Sequence, residues 1–178
     1  MLQLRPYQEA TLAAVDEAYR AGVTRQAVQL PTGAGKTVVF SALMQRRGGR
    51  SLVLAHRKEL LQQAQDKLRM VAPELSSGIV QGDRNETGYQ VTIASRDSLH
   101  ERRLEHFPRN FDQVIVDECH HAAADGYQRI LAHVVGPQTL LLGVSATLQR
   151  GDHVGLDDVF DQVTYSIDML DLMQQGYL

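Results

Sequence analysis

The sequence predicts an α/β protein in three layers, with a mainly parallel central sheet covered by helices on both faces. Three observations predict it. Short, almost uninterrupted apolar runs recur along the chain, helical periodicity follows most of them, and a glycine-rich loop joins the first run to its helix. Pro6 suits the first position of a helix, and Leu4, Tyr7, Leu12, Val15 and Tyr19 recur at roughly helical spacing until Gly22, so a helix is expected over about 5–21. Residues 27–30 read as a short strand, 31–35 as the loop, and 36–47 as a helix closed by Gly48 and Gly49. The apolar run 51–55 is a buried strand, and 57–71 an amphipathic helix with Leu60, Leu61, Ala64 and Leu68 on one face. Strands follow at 78–81 and 90–94, a helix near 98–105, and a strand over 111–116 that runs into Asp117-Glu118-Cys119-His120. A helix over about 127–134 and a strand over 139–144 complete the alternation, and 151–165 is expected to be a loop and a short closing strand.

The 178 residues suit one domain, able to bury about 68–70% of its unfolded surface. With 43% hydrophobic and 22% charged residues and 5 prolines, disorder, collagen and coiled coil are excluded. Cys119 is the single cysteine and has no internal disulfide partner, and Met1 leads into polar residues without an apolar signal region, so the expected compartment is the cytoplasm. No apolar stretch approaches the roughly 18 residues of a membrane span, and no membrane partner is expected. The net charge of −3 hides an asymmetry: residues 1–150 hold all 18 Lys and Arg against 15 of the 21 Asp and Glu, whereas 151–178 hold six Asp and no cation. Arg supplies 15 of the 18 cations, which suits phosphate ligation but is accounted for more readily by a GC-rich coding sequence.

A phosphate group needs several backbone N–H donors on one concave surface, and only residues without a bulky Cβ let the chain turn tightly enough. Gly33 and Gly35 meet that need, with Thr32 and Ala34 supplying further amides. Lys36 opens the next helix, where its ammonium would reach the terminal phosphates, and the Thr37 hydroxyl would ligate Mg²⁺. The strict pattern G-x-x-x-x-G-K-[ST] is broken by Leu30 at its first glycine.

Asp117 and Glu118 stand where an apolar strand runs out, the edge at which ligands of parallel sheets collect. Two carboxylates there divide labour: Asp117 is assigned to hydrated Mg²⁺, and Glu118 to the water that attacks the terminal phosphorus. Zinc is disfavoured because its ligands come in separated pairs and the chain has one cysteine. Gly143-Val144-Ser145-Ala146-Thr147 falls short of the acyl-hydrolase G-x-S-x-G elbow at its last position, so Ser145 and Thr147 read as hydrogen-bond relays.

Six strings in order, LRPYQ (4–8), PTGAGKT (31–37), LAHRKEL (54–60), TIAS (92–95), DECH (117–120) and SAT (145–147), resemble the first RecA-like domain of superfamily 2 helicases and translocases. Within that superfamily the chain is most similar to the DEAH-type branch of RadD-like, XPB-like and type III restriction helicase subunits. The resemblance implies that Gln8 bonds adenine and Arg5 packs on its ring, giving a preference for ATP. It implies that His120, Ser145 and Thr147 couple nucleotide state to nucleic-acid binding. His56 and Arg57, the motif at Ser95 and Arg96, and Gln81-Gly82 would face the strand backbone, with DNA the expected partner ahead of RNA and little base specificity. Such motors use a second RecA-like domain that supplies an arginine finger, so 1–178 is expected to be a fragment whose last residues, 166–178, begin the junction to it. Fingers are worth about 10³ to 10⁵ in rate, so this domain by itself should bind ATP and hydrolyse it poorly. The alternatives are a nucleotide-gated binding module without efficient turnover, and a small P-loop kinase.

Overall fold

Pro6 opens the first helix, α1 (Pro6–Arg20), and the Gln8 side-chain oxygen turns back to accept from the Arg5 N–H just ahead of it. The computed structural model describes residues 3–148 and 156–178. After α1 the chain forms β1 (Arg25–Gln29), the glycine loop, α2 (Lys36–Arg47), β2 (Ser51–Ala55), α3 (Leu61–Val71), β3 (Ser77–Gln81), β4 (Arg84–Asn85) and β5 (Val91–Ser95). It continues through α4 (Glu101–Leu104), β6 (Gln113–Asp117), α5 (Asp125–Val134), β7 (Leu140–Ser145), β8 (Gln162–Ser166) and α6 (Met169–Gln174). The strands form one sheet in the order β4-β3-β5-β2-β6-β7-β1-β8, and every pairing is parallel except that of β3 with β4.

The pleat explains why the strands are apolar on both sides. In β2, Val53 joins the core under α1, α2 and α3, whereas Leu52 and Leu54 join the core under α4 and α5. Ile115 in β6 and Leu142 in β7 face the first core in the same way, and Val114, Val116 and Leu141 the second. β2, β6 and β7 thus each fill two cores at once.

Most expected elements are present, with differences at their edges. The helix expected from residue 57 begins as a 3-10 turn over Lys58–Leu60 and turns α-helical at Leu61. Leu60 and Ala64 are half-buried, and Gln65 takes a core position because its amide reaches Ser77 O at 3.1 Å. The helix near 98–105 is split into a 3-10 turn, Arg96–Ser98, and the short α4. β4 pairs by two exposed residues and carries no apolar signal, so it was not expected. Within the stretch expected as loop and closing strand, 151–155 lie outside the described residues, and β8 supplies the strand.

Gly143 is needed for space rather than for backbone freedom. A Cβ there would lie 2.5 Å from Phe160 Cζ and 2.7 Å from Cys119 Cβ, because β7 passes directly beneath the turn after β6. Gly143→Ala is therefore expected to destabilise the fold by about 1–3 kcal/mol, the usual range for overpacking a core. Denaturant unfolding measures it, and an unchanged midpoint would contradict this packing.

Candidate functional site

Parallel strands bring all their C-terminal ends to one edge. Residues 31–37 follow β1, His56 and Arg57 follow β2, Gln81-Gly82 close β3, Ser95-Arg96 close β5, Asp117-Glu118 close β6, and Ser145 to Thr147 close β7. Every residue singled out from the sequence, Arg5 and Gln8 on the adjoining helix apart, stands on this edge.

Leu30, at the position where the strict loop pattern has glycine, is fully buried and prolongs β1, donating its N–H to Ser145 O at 2.9 Å. The turn starts only at Pro31, and the positive φ values fall at Gly33 (86°) and Gly35 (77°), so no glycine is required at 30. The loop is held from beneath by α1: Tyr7 Oη donates to Ala34 O at 2.7 Å and Gln8 Nε2 to the same oxygen at 3.0 Å. Gln8 Oε1 accepts from Arg5 N at 2.9 Å. Gln8, expected at adenine, is thus 5% exposed with both ends of its amide engaged by the protein. Arg5, expected on the adenine ring, lies over Tyr177 with its guanidinium carbon 5.5 Å from the ring centre, and donates to Tyr177 O. Tyr7 and Tyr177 had no signal in the sequence, since their roles depend on contacts 27 and 172 residues away.

Lys36 Nζ donates to Glu118 Oε1 at 2.6 Å, which joins the loop to the acidic pair across β7. Glu118 adopts φ 52°, and among the described residues it is the non-glycine one with positive φ. It also approaches His120, with Oε2 3.5 Å from Nδ1. His120 Nδ1 is 2.9 Å from Ser145 Oγ, which in turn donates to Thr147 O at 3.1 Å. The three residues expected to couple the sites therefore form a continuous chain from Glu118 to the end of β7.

Thr32, Gly33, Gly35, Lys36, Thr37 and Asp117 line one cavity of about 440 Å³. Its polar ligands are hard oxygens, Thr37 Oγ1 and the Asp117 carboxyl, beside backbone amides and an ammonium, a donor set that fits Mg²⁺ with phosphates. Burial raises the Asp117 pKa above the usual carboxylate value, against the pull of Lys36. Cys119 is fully buried and its thiol is pushed up to about 12, chiefly by burial, which removes it as a nucleophile. Among the described residues no cluster of metal-ligating side chains has the geometry of a zinc site.

The residues expected to face a strand differ among themselves. Arg57 and Gly82 are exposed, and Gln81 is half-buried, its amide bonding Lys58 O at 3.4 Å. Ser95 is 2% exposed and caps the following turn, its hydroxyl 2.7 Å from Ser98 Oγ, so it shapes the loop that presents Arg96. His56 stacks on His121, a residue not singled out from the sequence.

The family described as type III restriction enzyme, res subunit, matches residues 1–150. The chain belongs to that family, and with it to the superfamily 2 helicases. The putative mitochondrial ATP-dependent helicase irc3 of Schizosaccharomyces pombe is 38% identical over 189 residues, covering 99% of this chain and 31% of that protein. The putative ATP-dependent helicase IRC3 of Saccharomyces cerevisiae is 33% identical over 191 residues, covering 98% and 28%. This res-family chain thus spans about a third of the length of these curated relatives. Its fold is that of the Pyrococcus furiosus Hef helicase domain, with a TM-score of 0.75 at 22% identity over 96% of this chain and 39% of that one. Family membership sets aside the small kinase considered from the sequence.

The raised Asp117 pKa has a thermodynamic consequence. A carboxyl whose folded pKa lies above its unfolded value stabilises the fold below the unfolded pKa, and that contribution is lost as pH rises through the folded pKa. At neutral pH the Asp117 carboxyl therefore costs stability relative to the unfolded chain, and Asp117→Asn is expected to raise the melting temperature in metal-free buffer, by about 2–4 °C per kcal/mol relieved. Calorimetry checks this, and a lower melting temperature would show that the carboxylate stabilises the fold.

Proposed function

We propose that this chain is the first of two RecA-like domains of an ATP-driven nucleic-acid motor, a helicase or translocase acting on DNA. The 2.6 Å contact of Lys36 with Glu118 carries the reading, because it joins a loop built for phosphates to a carboxylate suited to activating water. The amides of residues 33–37 would orient the phosphates, and Lys36 would exchange its bond to Glu118 for the terminal phosphate oxygens. Glu118, released from Lys36, would orient the attacking water and take its proton. Thr37 and Asp117 would hold Mg²⁺, which when bound offsets charge on the phosphates. Tyr7, Gln8 and Arg5 would fix the loop from the base side of the nucleotide.

Strand backbone would lie across the ends of β3, β5 and β2, on Arg57, Arg96 and the turn at Gln81-Gly82, with His56 at its inner margin. Of the described acidic residues in this segment, Asp161 precedes and Asp168 follows β8, at the margin of the sheet opposite β3, so their charge lies away from this track. Residues 166–178 would lead into the second domain, which would complete the ATP site with a cation. DNA is favoured over RNA because relatives such as the DNA 3'-5' helicase XPB of Kineococcus radiotolerans, 32% identical over 188 residues covering 98% of this chain and 32% of that protein, are named for DNA. No helix among the described residues is long and apolar enough to cross a membrane. Cytoplasmic placement belongs to this proposal, although the name of the S. pombe relative assigns that protein to mitochondria.

Two substitutions test the site. Lys36→Ala should abolish ATP binding by calorimetric titration, and unchanged affinity would refute the loop assignment. Glu118→Gln keeps a hydrogen-bonding partner for Lys36, so ATP affinity should persist while turnover in the full-length protein falls by about 10² to 10⁴, the usual worth of a general base. Retained turnover would remove Glu118 from the chemistry.

A further inference from the structure

The strand ends along the site edge fall into two sets. β3, β5 and β2 carry the residues proposed to face a nucleic-acid strand, and β6, β7 and β1 carry those proposed to handle the nucleotide. The seam between the sets runs between β2 and β6, which pair from Ser51 with Gln113 to Leu54 with Val116.

Across that seam the imidazole of His56, the first residue after β2, lies flat on that of His121, with ring centres 3.8 Å apart and planes 10° from parallel. His121 is also 4.1 Å, centre to centre, from the ring of His120. Its backbone N–H donates to Glu118 O at 3.1 Å, closing the 3-10 turn Cys119–His121. That turn is anchored by Cys119, buried against Gly143, so His121 and Glu118 belong to one stiff unit. Burial first, then the neighbours His120, His56 and Arg96, lower the His121 pKa, while Glu118 acts the other way. At neutral pH His121 is therefore an uncharged ring, free to stack on His56 without repulsion.

Aromatic pairs at contact distance have a preferred geometry, and packed elements shift between discrete arrangements instead of deforming smoothly. We propose that His121 is a positioning residue which links strand occupancy at the His56-Arg57 loop to the orientation of Glu118, through the His56–His121 stack and the turn that His121 shares with Glu118. The inference rests on the proposed roles of those two regions. It adds a specific mechanical link that neither role requires.

The test is the ATPase rate of the full-length protein with and without single-stranded DNA. His121→Ala is expected to leave the basal rate and DNA affinity within about two-fold while lowering the DNA-stimulated kcat roughly 10-fold, inside the span of measured couplings between sites. His121→Phe, which keeps a flat ring, should recover most of the stimulation, and His121→Asn should not. The double variant with His56→Ala should be no slower under stimulation than the worse single variant, because both break one link. Undiminished stimulation in His121→Ala, equal loss of basal and stimulated rates, or additive losses in the double variant would each overturn the link. Should His121→Ala fail to fold, the Phe and Asn variants decide, and equal stimulation in both overturns it. A wild-type rate indifferent to DNA would instead overturn the nucleic-acid reading, and the link with it.

Discussion

The shared direction of the strands is the constraint on which the site depends. Because every strand but β4 points the same way, each connecting helix returns the chain to the same starting edge, and every loop after a strand opens on the opposite one. β4, the reversed strand, lies at the outer margin and contributes nothing to the site. β1 and β6 are not neighbours; β7 lies between them, so two strand spacings, about 9–10 Å, separate the loop strand from the acidic strand. A long lysine and a glutamate span that gap. β7 must then be small or polar where it passes beneath, and it is: Gly143 admits Cys119, and Ser145 meets His120.

Local strain serves this arrangement. The left-handed backbone at Glu118 costs on the order of 1–2 kcal/mol for a residue with a Cβ. It ends β6 abruptly, so that Asp117 lines the phosphate-sized cavity while Glu118 stands between Lys36 and His120. The buried turn after it supplies the packing that holds the strained residue in place. Asp117 bears a second cost, a carboxyl kept from water beside a like charge, which a bound cation would relieve. The proposed binding geometry is thus built in at the expense of the unliganded fold.

Periodicity exposed the helices and buried strands because a parallel sheet covered on both faces makes every strand position apolar, as in 51–55 and 140–144. It missed β4, which buries nothing, and misread the start of α3, where Leu60 ends a 3-10 turn half-buried while Gln65 is buried with its amide on Ser77 O. The glycine loop, the DECH sequence and the SAT sequence stood out in the sequence because each sets particular residue types at fixed short spacing. The contacts of Tyr7, Tyr177 and His121 were not, because each joins residues far apart in the chain through rings or hydroxyls that resemble ordinary core or surface residues.

The sequence by itself determined the alternation of elements, the phosphate-type loop, the acidic pair and membership of a helicase family, since all of these are written in local composition and order. Only the tertiary structure decided that Lys36 meets Glu118, that Leu30 replaces a glycine at no cost to the turn, that Gln8 braces the loop, and that His56 rests on His121. Strand order is the physical reason. It is set by how helices pack over the whole sheet, and it alone determines which strand ends become neighbours.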